Sequence, residues 1–380
     1  MGLFTPRPTQ QRADLNLDLF LGPNPNGEGG DAAQSGSSFT LPAEWFPQSG
    51  VQLTWPHRQT DWASRLDDVT ECYVRLAFEI ATRELLLIVT PEAEAVERLL
   101  RERLPQRAVE NIVFCPCPTD DTWARDHAFL SLVGPQGVRL LDFRFNAWGN
   151  KFRCILDNAI NARIHAAGAV RGTYVDHLDF VLEGGSIESD GRGTLLTTAQ
   201  CLLNPNRNPY LTKEQIEDRL KERLGVQRIL WLHHGSLLGD DTDAHIDTLA
   251  RFCSEDSIVY DSCDATDPNY DELRQMEEEL RTFRTPDGKP YTLFPLLLPH
   301  PMADEEGNAL PGTYANFLII NSAVLYPTYG QADRDAEAAE VLKRAFPKMD
   351  IVGIDCKVLL YQHGSLHCAT MQFPRSVLVK

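Results

Sequence analysis

The chain has no uninterrupted apolar run of about 18 residues, so no helix is expected to span a membrane. Its start, Met1-Gly2-Leu3-Phe4-Thr5-Pro6, lacks the cationic segment and apolar stretch of a secretory signal. Pro6 stands where a myristoylation pattern needs Ser or Thr. A cytoplasmic protein with free thiols is the default expectation. Basic residues are scarce: 36 Lys plus Arg face 54 Asp plus Glu, a net charge of -18 over 380 residues. That balance excludes nucleic acid and anionic membrane surfaces as partners and suits small cations. Solubility alone is the blander account of the same charge. The nine cysteines are odd in number and scattered, so no disulfide framework is expected. Cys115-Pro116-Cys117 is the one close pair. Without further thiol or imidazole pairs at ligand spacing it reads as strand, not as a metal site. Neither GxGxxG nor GxxxxGK[ST] occurs, which excludes the usual nucleotide-binding loops.

What is present reads as one large domain with an unlike beginning. Residues 1–40 hold Gly22-Pro23-Asn24-Pro25-Asn26-Gly27 and Gln34-Ser35-Gly36-Ser37-Ser38, too polar to build a core. A flexible tail is expected there, with Leu15 to Leu21 as a short apolar patch. From Leu41 onward strand and helix signals alternate. Glu84 to Thr90 is a strand-like run, followed by helical spacing over Pro91 to Leu100. Asn111 to Cys117 is strand-like again. A helix over Lys213 to Leu224 precedes a strand over Arg228 to Leu232. A helix over Asp335 to Phe346 precedes a strand over Asp350 to Gly353. Short units of similar size predict a mixed α/β architecture of repeated modules, although no strict sequence repeat is visible.

Chemistry concentrates in four places. Cys368 follows a glycine turn in Gly364-Ser365-Leu366-His367-Cys368. A thiol is a nucleophile once something lowers its pKa or takes its proton. His245 and Asp247 alternate in Asp243-Ala244-His245-Ile246-Asp247, and in an extended segment both would face one site. Glu183 precedes two glycines that admit close approach. Asp126 follows Trp123, whose ring offers a face to a planar cation. A thiol, an imidazole and three carboxylates are the parts needed to cut a C–N bond of a guanidinium group. Each part alone has a blander reading: a buried structural cysteine, a solvated acidic loop, a hairpin turn, a core tryptophan.

Together these segments resemble the agmatine deiminase family, within the larger guanidine-modifying superfamily. The resemblance spans roughly residues 50 to 375. It rests on Thr54-Trp55-Pro56-His57-Arg58, Trp123-Ala124-Arg125-Asp126-His127, Phe145-Asn146-Ala147-Trp148-Gly149, Leu182-Glu183-Gly184-Gly185-Ser186-Ile187, Leu203-Asn204-Pro205-Asn206-Arg207-Asn208-Pro209, Asp241-Thr242-Asp243-Ala244-His245-Ile246-Asp247 and His367-Cys368. It implies a pseudo-fivefold α/β propeller and a single catalytic domain over residues 41–380. It implies hydrolysis of agmatine to N-carbamoylputrescine and ammonia, with Cys368 as nucleophile and His245 as general acid and base. Asp126 and Asp247 would clamp the cation, Glu183 would orient His245, and Trp123 and Trp55 would border the substrate. No metal or other cofactor has a role in that scheme, and relatives often form homodimers. The family usually has glycine where Ala244 stands, a glycine run at Gln362-His363-Gly364-Ser365, and Gly-Pro at Ala128-Phe129.

Other readings stay open. A related deiminase would act on arginine or peptidyl-arginine, and an α-carboxylate would then need a donor such as Arg125, Arg153 or Arg207. An amidinotransferase would use the same thiol with an amine acceptor. A polyamine-binding protein would keep the fold without turnover. A zinc hydrolase would draw on His233, His234, His245 and cysteines, at spacings that fit no usual ligand set.

Overall fold

The computed structural model describes residues 39–380. The expected tail and its Leu15 to Leu21 patch lie outside the described residues, apart from Phe39 and Thr40. Those two are packed: Phe39 is buried and Thr40 bridges Val133.

The architecture is mixed α/β. Strands β1 (Gln48–Thr54), β2 (Leu85–Thr90) and β3 (Ile112–Pro116) run parallel. Parallel neighbours need a crossover, here the Leu66–Ala81 and Ala93–Arg103 helices. Helices on a parallel sheet cover its faces, which explains the unbroken apolar run. Leu86, Leu87, Ile88 and Val89 are all fully buried. Pro116 lies on the edge strand, where its missing N–H costs no ladder bond.

Four further sheets repeat one plan. In each, two strands pair antiparallel, a helix crosses over, and a third strand joins parallel to the second. The first holds β4 (Leu130–Gly134), β5 (Gly137–Arg144) and β6 (Thr173–Val181) around the Ile160–Ala166 helix. The second holds β7 (Ile187–Ser189), β8 (Thr194–Thr198) and β9 (Arg228–Leu232) around the Lys213–Leu224 helix. The third holds β10 (Ala250–Ser254), β11 (Ser257–Ser262) and β12 (Thr292–Leu297) around the Tyr270–Thr282 helix. A two-stranded ladder of β13 (Met302–Ala303) and β14 (Ala309–Leu310) follows. The last holds β15 (Leu318–Ile320), β16 (Ala323–Thr328) and β17 (Asp350–Asp355) around the Ala332–Ala345 helix. Finally β18 (Thr370–Pro374) returns to pair antiparallel with β1. That pairing gives the opening sheet the same plan and ties the two ends of the described chain together.

The 213–224 helix shows why local sequence fixes these units. Thr212 caps the Gln215 N–H and the Gln215 side chain returns the bond, a capping box. Ile216, Leu220 and Leu224, four residues apart, form its buried stripe. Burial of each is worth roughly 1.5–3 kcal/mol. Gly225, at φ +65°, stops it in a left-handed cap. Other predicted boundaries shift. The helix expected from Pro91 begins at Ala93 and runs to Arg103. The one expected from Asp335 begins at Ala332, and the strand after it extends to Asp355. Among the described residues no helix is long and apolar enough to cross a membrane.

Candidate active site

The repeated plan sets where the functional side chains sit. The segment just before the first antiparallel strand of each sheet carries a polar group of the site. Asp126 lies in the turn before β4, and Glu183 and Gly185 lie before β7. His245 and Asp247 lie before β10, Asn316 before β15, and Cys368 before β18. Residues scattered over more than 240 positions are therefore brought together by equivalent loops.

The approach is close. A Cβ on Gly185 would lie 2.7 Å from His245 Nδ1, 2.8 Å from Asp126 Oδ1 and 3.1 Å from Asp247 Oδ2. Only glycine fits, as its place beside Glu183 led one to expect. Asp126 Oδ1 accepts the Gly185 N–H at 3.0 Å and lies 3.6 Å from His245 Nδ1. Asp126 Oδ2 accepts the Trp148 indole N–H at 2.9 Å. Cys368 Sγ is 3.9 Å from Asp247 Oδ2. Asn316 Oδ1 accepts the backbone N–H groups of both His367 and Cys368, at 2.9 and 3.2 Å. Asn316 also donates to the Asp247 carbonyl, so one side chain ties the nucleophile loop to the acid loop. His245 and Asp247 do not alternate along a strand as expected. Ile246–Thr248 forms a single 3-10 turn, and that turn makes the two side chains converge.

The electrostatics follow from burial. Burial pushes the Asp126 carboxyl up to about 6, against the pull of His245. Burial disfavours a charged His245, but Asp126, Cys201 and Glu183 outweigh it and lift the imidazole to about 10. Cys368 is held well above the ordinary thiol range by burial and then by the carboxylates of Asp247 and Asp126. Asp247 is lowered despite its burial, because His367 donates to it. His367 lies 2.7 Å from Asp247 Oδ2 on one side and 2.7 Å from Glu44 Oε2 on the other. Burial, Arg125 and Arg251 push it toward the neutral form. Two carboxylate oxygens at that distance each need an N–H, so the contacts favour the imidazolium. Three buried polar atoms lack a protein hydrogen-bond partner here: Asp247 Oδ1 and both ring nitrogens of His245.

A cavity of about 220 Å³ opens above this cluster. Cys368, Asp126, Trp123 and Trp148 line it together with the carboxylates of Asp61, Asp121 and Asp241. Among the described residues that line it, none is Arg or Lys. His245, Asp247 and Glu183 are fully buried behind this lining. Trp55 is placed differently from the expectation. It is absent from the lining, and its ring packs edge-on against Tyr73 at 5.5 Å, in the apolar core. A ring that follows a central strand is drawn into the core more strongly than toward a polar cavity.

The three arginines considered as carboxylate donors are engaged elsewhere. Arg207 Nε donates to both oxygens of Glu183, at 2.9 and 3.0 Å, and its Nη1 donates to Asp243. Glu183 thus makes its hydrogen bonds to Arg207, and its hold on His245 is electrostatic. Arg125 is buried beside Glu44 and Met371, and Arg153 pairs with Asp120. Glu183, Cys201 and His245 offer ligand atoms within 4.8 Å of one another, the group with the right chemistry for a soft cation. With both Glu183 oxygens bound to Arg207, that group is two ligands and a salt bridge rather than a prepared site. His234 pairs with Glu279 instead of joining it. Sequence reasoning assigned no role to Asn316, Glu44, Cys201 or Trp148. Only Trp148 carried a signal, within the Asn146-Ala147-Trp148-Gly149 segment.

Comparison with known proteins places this geometry. The family model described as Porphyromonas-type peptidyl-arginine deiminase matches residues 40–374. An agmatine deiminase of Stutzerimonas stutzeri is 32% identical over 359 residues, covering 88% of this chain and 95% of the relative. A C. jejuni agmatine deiminase, solved as a cysteine-to-serine variant with substrate bound, superposes with a TM-score of 0.82 at 37% identity. That match covers 91% of this chain and 99% of the other. A Porphyromonas gingivalis protein, provisionally named an arginine deiminase, superposes with a TM-score of 0.84 at 49% identity, covering 90% and 99%.

Proposed function

Because the chain belongs to the agmatine deiminase family, we propose that it hydrolyses agmatine to N-carbamoylputrescine and ammonia through a covalent bond to Cys368. The observation that carries this reading is the cavity itself. Cys368 and Asp126 line it together, Asp247 Oδ2 lies 3.9 Å from the sulfur, and Asp61, Asp121 and Asp241 line it further, with no Arg or Lys among the described lining residues. A guanidinium fits the floor, where ionised oxygens accept its N–H groups in a fixed plane. A tail ending in an ammonium fits the walls. A tail ending in a carboxylate would meet Asp61, Asp121 and Asp241, with no Arg or Lys among the described lining residues to receive it.

The steps follow from the charges. The entering cation offsets Asp126 and Asp247, the two carboxylates that hold the Cys368 proton in place. The thiol proton leaves to solvent and the thiolate adds to the guanidinium carbon. The resulting tetrahedral adduct is neutral. His245, protonated up to about 10, gives its proton to one amino group, which departs as ammonia. A thiouronium cation remains on sulfur. Neutral His245 then takes a proton from water as the hydroxide adds. The adduct collapses, the thiolate leaves, and the ureido product releases its surplus proton to solvent.

We infer also that the five strand–helix modules stand around the cavity as blades of a pseudo-fivefold propeller. The equivalent positions of Asp126, Glu183, Asp247, Asn316 and Cys368, each just before a sheet's first strand, support that arrangement. The test of function is ammonia release and product mass with agmatine, arginine and a peptide with C-terminal arginine in parallel. Turnover of agmatine alone is expected. Turnover of arginine or the peptide alone would move the substrate, and the family model's description makes that the second reading.

A further inference from the structure

Four consecutive residues beside the cavity adopt positive φ: Ala147 (51°), Trp148 (54°), Gly149 (94°) and Asn150 (64°). Left-handed backbone is unfavourable for side-chain-bearing residues, and three of these four carry one. Such a run persists only where surrounding contacts impose it. Those contacts are present. The Asn150 N–H reaches the Asn146 carbonyl at 2.7 Å and the Lys151 N–H reaches the Ala147 carbonyl at 3.1 Å, closing one left-handed turn. The Asn146 side chain accepts the Gly149 N–H and donates to the Asn206 carbonyl, each at 3.0 Å. Gly149 lies against the Asn206 amide so closely that a Cβ would sit 2.2 Å from its nitrogen. Asn206 neighbours Arg207, which holds Glu183. The same loop therefore fixes both the left-handed turn and one carboxylate of the site.

The turn points Trp148 at the cluster. Its ring lines the cavity, packed between Phe145 and Phe152, and its indole N–H bonds Asp126 Oδ2 at 2.9 Å. With Gly185 on Oδ1, each oxygen of Asp126 is fixed by one donor and keeps a lone pair for a ligand. We propose that the left-handed turn at 147–150 exists to aim Trp148, and that Trp148 is a positioning residue that fixes the plane of Asp126 for a guanidinium. This rests on the reading of the cavity as a guanidinium site. The groups that face Asp126 are His245 and Asp247 from the 3-10 turn, Glu183 from the loop before β7, Cys368 from the last loop, and the Gly185 and Trp148 N–H donors. Asp247, Glu183 and a thiolate at Cys368 all disfavour its charge. His245 and the two donors favour it. Loss of a donor therefore moves the ionisation of Asp126 to higher pH.

Two variants separate the donor from the turn. Trp148→Phe removes the N–H and keeps a ring. Gly149→Ala keeps the indole and displaces the turn against Asn206. Each should raise KM for the guanidine substrate about tenfold at neutral pH and leave kcat within about threefold, as expected for one hydrogen bond to a charged group. A fall in kcat with KM unchanged in both variants would overturn the role. A second readout needs no turnover. The indole N–H resonance of Trp148, identified among six tryptophans by its loss in Trp148→Phe, should titrate with a midpoint near the Asp126 value of about 6. It should be flat in Asp126→Asn. A resonance that does not respond to pH in the unmodified chain refutes the coupling even if guanidine turnover is found. If no guanidine compound is turned over, the proposed reaction fails, and this titration alone decides whether Trp148 governs Asp126.

Discussion

Asp247→Asn should make Cys368 more reactive while it abolishes turnover. Burial pushes the Cys368 thiol well above its ordinary range, and Asp247 Oδ2, 3.9 Å from the sulfur, pushes it further. Two unit charges at that separation repel by about 4 kcal/mol at an effective dielectric of 20. The amide of Asn keeps an oxygen for the His367 N–H and removes the charge. Recovering only a third of the repulsion, about 1.4 kcal/mol, gives a tenfold larger thiolate population. The assay is the rate of iodoacetamide labelling of the Cys368 peptide at neutral pH, read by mass spectrometry. All nine cysteines are free, so the other eight serve as internal references. An acceleration of about tenfold or more, confined to Cys368, is expected, with the far-ultraviolet spectrum unchanged. A rate equal to or below that of the unmodified chain would refute the reasoning. It would mean that Asp247 supports the thiolate instead of opposing it.

Three further outcomes follow from the same geometry. Cys368→Ala should release no ammonia and keep its fold, since it removes the sulfur's 3.9 Å approach to Asp247 and retains the backbone bond to Asn316; measurable turnover would place the nucleophile elsewhere. Asp241→Asn, at the cavity wall, should raise KM for agmatine about fivefold with kcat little changed, the worth of about 1 kcal/mol for a partly exposed charge pair; an unchanged KM would remove Asp241 from the tail site. Leu220→Ala, in the buried stripe of the 213–224 helix, should cost about 2–5 kcal/mol in denaturant unfolding; a loss below 1 kcal/mol would mean that the stripe is not packed as described.

Much of this was readable from the sequence where local rules act alone. Thr212, Gln215 and Gly225 mark the ends of a helix by capping chemistry, and its limits came out as expected. Leu85 to Val89 could be read as a strand because every position is apolar, while its parallel pairing emerged only from the structure. The site was readable in kind, since Gly185 beside Glu183 announced a close approach. Its assembly was not. Nothing local says that Asn316 bonds the backbone N–H groups of two residues more than 50 positions later, or that Glu44 reaches His367. Trp55 shows the opposite failure. Its segment resembled the family's, yet an aromatic ring next to a central strand was claimed by the core. The turn at Asp243 and Ala244, with φ near +65°, explains the departure noted there: the family's glycine suits a left-handed position that Ala244 occupies at some strain.

Cation binding should also release protons, and the number can be worked out. Asp121 lines the cavity, and burial with the nearby Asp61 charge pushes it up to about 7, while Asp126 stands at about 6. Each is raised above its ordinary value, so each is partly protonated in the free protein below those values and ionised above them. At pH 6.5 the protonated fractions are roughly 0.8 for Asp121 and roughly 0.2 for Asp126, about one proton together. A bound dication lowers both and expels that proton. The measurement is calorimetric titration of the Cys368→Ala chain with agmatine, in buffers of different ionisation enthalpy, which excludes turnover and the thiol's own proton. Release of about one proton at pH 6.5, falling as the pH rises toward 8, is expected. Asp121→Asn should remove most of it. Proton uptake, or no exchange at pH 6.5, would show that the cavity carboxylates are already ionised, and that the free site does not exchange protons for a cation.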